Sequence, residues 1–322
     1  MATKSSITNS VVHAASNDTS NNKNEKETTK NVVVVASDDS SPINEQNDKK
    51  ATGIKNVGNV PNESTPNIVK EDEKQKKIDT SIISLDKLSL GPKKKLLVLP
   101  LGGFIVHRAH RRGLNTIPKN RRPDFSFGNF FVYKRPFCEE FLKFCFERFH
   151  VGIWSTTSEH NLLGVLNPVM GDLKSQLLFT WDHKQCTNTG FTCLGSKDKP
   201  LFLKELDGIW QKKYSNLAWC DGEYSASNTL LVTDPVKALL NPPNTAIFPQ
   251  NYDPEDNEDD FLGPGGELRM FLDGLAHAKD VPTYVKDHRI GEPAITSSHS
   301  DWGYYSKIIR ALGKKEMTDH KN

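Results

Sequence analysis

The chain has 322 residues, with 42 Lys and Arg against 40 Asp and Glu, and a formal net charge of +2. That balance excludes a global electrostatic attraction to nucleic acid or membrane surfaces, so any such binding has to come from a local patch. Five irregularly spaced cysteines and no apolar leader point to a reducing compartment, and no stretch approaches the roughly 18 apolar residues of a membrane span.

The first 92 residues hold no Phe, Trp, Tyr or Cys, and their first leucine is Leu85. A segment of this composition cannot bury enough apolar surface to offset its chain entropy, so residues 1–92 are expected to form a disordered polar region. Its start is rich in Ser, Thr and Ala but lacks arginine and carries acids from Asp18 onward. That makes a poor transit peptide, and a nuclear or cytoplasmic location is expected ahead of a mitochondrial one. The run Val32, Val33, Val34, Val35, followed by Asp38 and Asp39, is similar to a SUMO-interacting motif, a β-branched strand added to a partner's sheet edge. Ser40 and Ser41, beside the acids, are candidate phosphate acceptors.

From Lys93 the texture becomes globular. "LLVLPLG" predicts a short buried strand ending at Pro100. "RPFCEEFLKFCFERF" predicts a helix, with Phe137, Phe141, Phe144 and Cys145 at helical spacing. "HVGIWST" reads as a second buried strand, "SEHNLLGVLNPVM" as a helix and "QLLFTWD" as a strand. "PLFLKELDGIWQKK" opens a further strand or helix, "SNTLLVTDP" is an aliphatic strand, and "TAIFP" is strand-like. "GELRMFLDGLAHA" puts Leu268, Phe271, Leu272 and Leu275 on one helical face, with "GPGG" at Gly263–Gly266 as the turn before it. Trp154, Trp181 and Trp210 are expected in the core. Strands alternating with helices imply an α/β domain with a parallel central sheet. In such sheets the working surface lies at the strands' carboxyl ends, where Pro100, Gly102, Ser155, Thr156, Thr233 and Asp234 should converge.

"KKLLVLPLGGFIVH", "VYKRPFCEEFLKFCFERFHVGIWSTT", "PLFLKEL" and "SNTLLVTDPVKALLNPPNTAIFP" together resemble the RNA polymerase II C-terminal-domain phosphatase group. That group, also called NLI-interacting-factor-like or FCP1-homology, belongs to the haloacid dehalogenase superfamily, and "NPPNTAIFP" and "GPGGELRMFL" resemble its plant members. The resemblance implies a three-layer Rossmann-like α/β domain over residues 93–311, after the polar region 1–92 and before a polar tail, 312–322. It also implies a mechanism. One aspartate ends the first strand and attacks phosphorus, and a second, two residues on, acts as general acid and base. A Ser or Thr and a Lys hold the phosphoryl oxygens, and later acids help hold Mg²⁺.

Carried across, the nucleophile's place falls on Pro100 and the acid/base's place on Gly102, and neither carries the chemistry. Phe104 stands where a threonine usually follows. The phosphate-holding positions fall on Ser155, with Thr156 as a rival alignment, and on Lys204. The acidic pair is reduced to Thr233 and Asp234, which leaves Asp234 as a lone metal-ligand candidate. Catalytic groups of this kind act as a unit, so loss of the nucleophile removes most of the rate. The expectation is a pseudophosphatase that binds proteins, including phosphoserine-bearing ones, without a cofactor; Mg²⁺ would serve only retained turnover. Two alternatives stay open: a phosphatase that activates water through Asp234 or His107, and a mitochondrial import receptor of the same fold.

The stretch His107–Arg122 is the most basic in the domain and is expected to be a solvated loop beside the substrate groove. It lacks the interleaved aromatics that suit base readout, so nucleic acid is not an expected partner. The acidic loop Asp253–Asp260 reads as a solubilising surface. His183, Cys186 and Cys193 fit no standard zinc spacing.

Overall fold

The computed structural model describes residues 93–214 and 217–319, with side chains through Gly313. The expected polar region, residues 1–92, and its valine run lie outside the described residues. In chain order the elements are β1 (Lys95–Leu99), β2 (Val106–His110), β3 (Phe125–Phe127), β4 (Phe130–Lys134), α1 (Cys138–Arg148), β5 (Phe149–Trp154), α2 (Glu159–Met170) and β6 (Phe179–Trp181). Then come β7 (Thr187–Thr192), β8 (Pro200–Leu203), α3 (Asp207–Trp210), β9 (Thr229–Val232), β10 (Ala246–Ile247), α4 (Glu267–His277), α5 (Val281–Asp287) and α6 (Trp302–Asp319).

Five strands form one parallel sheet in the order β10-β9-β1-β5-β6. β1 lies at its centre with every residue buried, as a continuous aliphatic run requires when both sheet faces are covered. The pleat divides its side chains between two cores. Leu97 and Leu99, with Val151, Ile153, Leu230 and Val232, face a layer built from α1, α2, α4 and α5. Leu96 and Val98, with Trp154, Phe179, Trp181 and Leu231, face α3 and an aromatic segment carrying Trp219 and Tyr224. This is the three-layer α/β organisation expected from the sequence. Lys95 anchors the lower end of β1: its Nζ donates to the carbonyls of Ala276 (3.1 Å) and Ala278 (2.7 Å) at the carboxyl end of α4.

The structure departs from the sequence reading in three places. First, β2, β4 and β3 form a separate antiparallel flap immediately after β1. His107–His110 of the expected solvated loop is therefore a strand, and Arg108 within it is 5% exposed. Second, "PLFLKELDGIWQKK" is both strand and helix, β8 and then α3, with β8 paired antiparallel to β7. Third, α6 runs through the expected domain end at residue 311. Leu312 is buried with Leu201, Leu203, Tyr305 and Ile308 in a cluster beneath β8, so it belongs to the folded unit and not to a polar tail.

Candidate functional site

Parallel pairing brings the carboxyl ends of β5, β1 and β9 side by side. Leu99 lies opposite Ile153, and Val98 opposite Leu231, so the residues that follow these strands are Pro100 flanked by Ser155 and Thr233. Beyond Pro100 the chain turns sharply. Gly103, at φ +75°, donates to the carbonyl of Val106 (2.8 Å), and Ile105 and Val106 both donate to the carbonyl of Leu101 (3.0 Å each). Only glycine takes that conformation without strain. The turn buries Phe104 against Phe141, edge to face at 6.2 Å.

The space that remains is small. A cavity of about 10 Å³ lies among Pro100, Gly102, Gly103, Phe104, Val232, Thr233, Asp234, Lys237, Pro249 and Asn251. That is roughly the room one water molecule needs. Thr233 is 4% exposed, and its Oγ1 is buried without a hydrogen-bond partner among the described residues. Asp234 is the one carboxylate on the wall, and the ammonium of Lys237 lies 2.8 Å from it.

Of the residues expected to converge, Pro100, Gly102, Thr233 and Asp234 line this one cavity, with Phe104 beside them. Ser155, Thr156 and Lys204 are buried (4%, 6% and 1% exposed) and are not among the residues lining the cavity. Ser155 Oγ accepts from the backbone N–H of Thr157 (3.2 Å), and its carbonyl takes the Cys186 thiol at 3.7 Å. Burial pushes that thiol up to about 11, against the opposing pull of the Lys204 and Lys237 charges. The backbone of Lys204 is fixed at both ends, its N–H to the Lys237 carbonyl and its carbonyl to Asn241 Nδ2, each at 2.8 Å. His107 lies on β2, does not line the cavity, and bonds through Nε2 to the carbonyl of Thr116 (3.2 Å).

Sequence reasoning missed the segment that packs on the turn after β1. Residues 249–252 cross over the turn, with Tyr252 N–H donating to the Gly103 carbonyl (2.8 Å) and Tyr252 hydroxyl meeting Arg121. The acidic loop that follows is more than a solubilising surface. The side chain of Asp259 is 5% exposed and pairs with Arg135 at 2.8 Å, whose guanidinium lies over the rings of Phe261 (4.6 Å), Tyr252 (5.5 Å) and Phe104 (6.0 Å). A signal existed in the sequence for Lys237, three residues after Asp234 across a helix-starting Pro235. None existed for Arg135 and Asp259, which are 124 residues apart.

Mg²⁺, the ion implied by the resemblance, needs near-octahedral oxygen ligation. One carboxylate already held by a lysine does not supply that donor set. Among the described residues, no group of three or more His, Cys, Asp or Glu side chains is arranged to hold a metal ion.

A family model described as NLI interacting factor-like phosphatase matches residues 95–282, more than half of the chain. The chain belongs to the NLI interacting factor-like phosphatase family. It is similar to an uncharacterized FCP1 homology domain-containing protein of Schizosaccharomyces pombe, 24% identical over 192 residues, which covers 59% of this chain and 73% of that one. Among solved structures it is similar to the fission yeast RNA polymerase II CTD phosphatase Fcp1 bound to beryllium fluoride (TM-score 0.30, 13% identity, covering 61% of this chain and half of that one). A second structure, of Fcp1 as an essential RNA polymerase II CTD phosphatase, gives a TM-score of 0.29 at 13% identity, covering 70% of this chain and 64% of that chain.

Proposed function

We propose that this member of the family has given up phosphoryl transfer and works as a protein-binding domain. The observation that carries the reading is Pro100 at the end of β1, over a cavity of about 10 Å³. There is no carboxylate to form an aspartyl-phosphate at Pro100 and no proton relay at Gly102. In this reading Ser155, Thr156 and Lys204 serve the interior of the domain, Asp234 serves Lys237, and neither Mg²⁺ nor another cofactor is used. The partners are proteins met in the nucleus or cytoplasm.

The test compares the natural protein with the double variant Pro100→Asp, Gly102→Asp, each given an aryl phosphate and a phosphoserine peptide with and without Mg²⁺. The natural protein should show no Mg²⁺-dependent turnover. Losing the nucleophile alone removes on the order of 10⁴-fold or more in rate where it has been measured in other enzymes. Turnover by the natural protein that disappears in Asp234→Asn or His107→Gln would replace this reading with a phosphatase of altered chemistry.

A further inference from the structure

The basic stretch of the flap is used unequally by the fold. Arg108 turns inward, with its guanidinium 4.3 Å from the centre of the Phe130 ring. Arg121 is held by Asp124 (3.1 Å), the Lys134 carbonyl (2.7 Å) and the Tyr252 hydroxyl. The other four, Arg111, Arg112, Lys119 and Arg122, are exposed. Among the described residues none of the four has a carboxylate within ion-pair distance. Arg111 is already oriented, 5.1 Å over the Phe131 ring, so it loses less freedom on binding than an unsupported arginine. Between the two arginines and Lys119 stands Leu114, at 76% the most exposed large hydrophobic side chain described.

We propose that residues 111–122 of the flap form a docking strip for a carboxylate-rich peptide segment of a partner protein, with an apolar residue of that segment covering Leu114. The proposal rests on the reading of the domain as a binding module and names the partner's chemistry. The four charges are exposed and spread over twelve residues of the segment. That suits spaced Asp and Glu side chains better than a single phosphoryl dianion, which gains most from several donors aimed at one spot. A nucleic acid fits less well, because acids adjoin the strip: Glu255 accepts from the backbone N–H of Lys119 (2.6 Å), and Asp253, Asp256, Glu258 and Asp260 are exposed in the same loop. A backbone with one charge per roughly 1.7 Å would be repelled as it ran past them, whereas a short peptide ends on the strip.

The experiment uses the full chain and a fluorescein-labelled peptide of alternating Glu and Ser with one central Leu, read by anisotropy at about 50 mM salt. Saturable binding is expected, weakened about tenfold or more in Arg111→Glu, Arg112→Glu and by raising salt to about 200 mM, since exposed pairs act together and are screened. Leu114→Ser should weaken it about threefold, as should replacing the peptide's Leu by Ser. The control reversal Lys286→Glu, on the exposed side of α5, should leave it unchanged. Absence of binding, equal loss in the Lys286 variant, or tighter binding of a phosphoserine peptide or duplex RNA would each overturn the proposal. Anisotropy reads docking without turnover, so this result and the phosphatase assay fail or succeed separately.

Discussion

Pro100, Asp259 and His150 show how single side chains set the chemistry and the stability of this domain. Pro100 follows a fully buried strand and contributes neither a carboxylate nor a backbone N–H. Asp259 is the counter-charge of a guanidinium that is 8% exposed. Replacing it by Asn leaves a buried cation without its partner, and urea unfolding should report a loss of about 3–5 kcal/mol. The double variant Arg135→Leu, Asp259→Leu should lose much less, because it removes both desolvated charges together. His150 bonds through Nδ1 to the Tyr224 hydroxyl at 2.6 Å, and burial holds its pKa below the usual histidine value. A lowered folded-state pKa means that the unfolded chain takes up the proton first as pH falls. The stability it contributes is present above about pH 6.5 and is lost as pH falls through the lower folded-state value. His107 has the same sign, also through burial. The melting temperature should therefore fall between about pH 7 and about pH 5, and His150→Gln should flatten that slope.

At the scale of elements, continuous aliphatic runs and helical spacing were legible in the sequence, whereas pairing across distance was not. β1, β5 and β9 are short aliphatic runs that alternate with amphipathic helices, and each lies where its pattern put it. The flap carried a readable signal too: "SFGNFF" holds a two-residue Gly128–Asn129 turn between aromatic residues, and Gly128 takes φ +53° in the hairpin that pairs Phe127 with Phe130. β7 carried no such signal, since "TNTGFT" is polar and becomes a strand only through β8. Gly152 in β5 is a similar case, because its need for glycine comes from another strand. Phe179 lies opposite it in β6, and a Cβ on Gly152 would come within 2.3 Å of that ring. Gly152→Ala should cost about 1–3 kcal/mol by forcing the ring aside, read as a lower denaturant midpoint. Leu312 is legible only once α6 is seen on β8; Leu312→Ala should cost about 2–3 kcal/mol in the same assay.

At the scale of the whole domain, the end of the sheet that serves chemistry in parallel α/β folds is here narrowed to a small cavity. Phe104 from the turn after β1 and Pro249 and Asn251 from the segment bonded to that turn line it. Millimolar Mg²⁺ should therefore leave the melting temperature of the natural protein unchanged, because an ion stabilises only by binding the folded state. A shift in the Pro100→Asp, Gly102→Asp variant alone would show that the carboxylates are what the site lacks. The sequence by itself determined the parallel α/β layering, the order of its main strands and the lack of carboxylates at the end of the first one. These are local properties: a run of apolar residues, a helical spacing, the chemistry of one side chain. Only the tertiary structure decided that Ser155 and Lys204 are internal, and that Arg135, lying over three aromatic rings, finds Asp259. Those outcomes depend on which distant segments share a volume and exclude water from it, and the spacing of residues along one chain does not encode that.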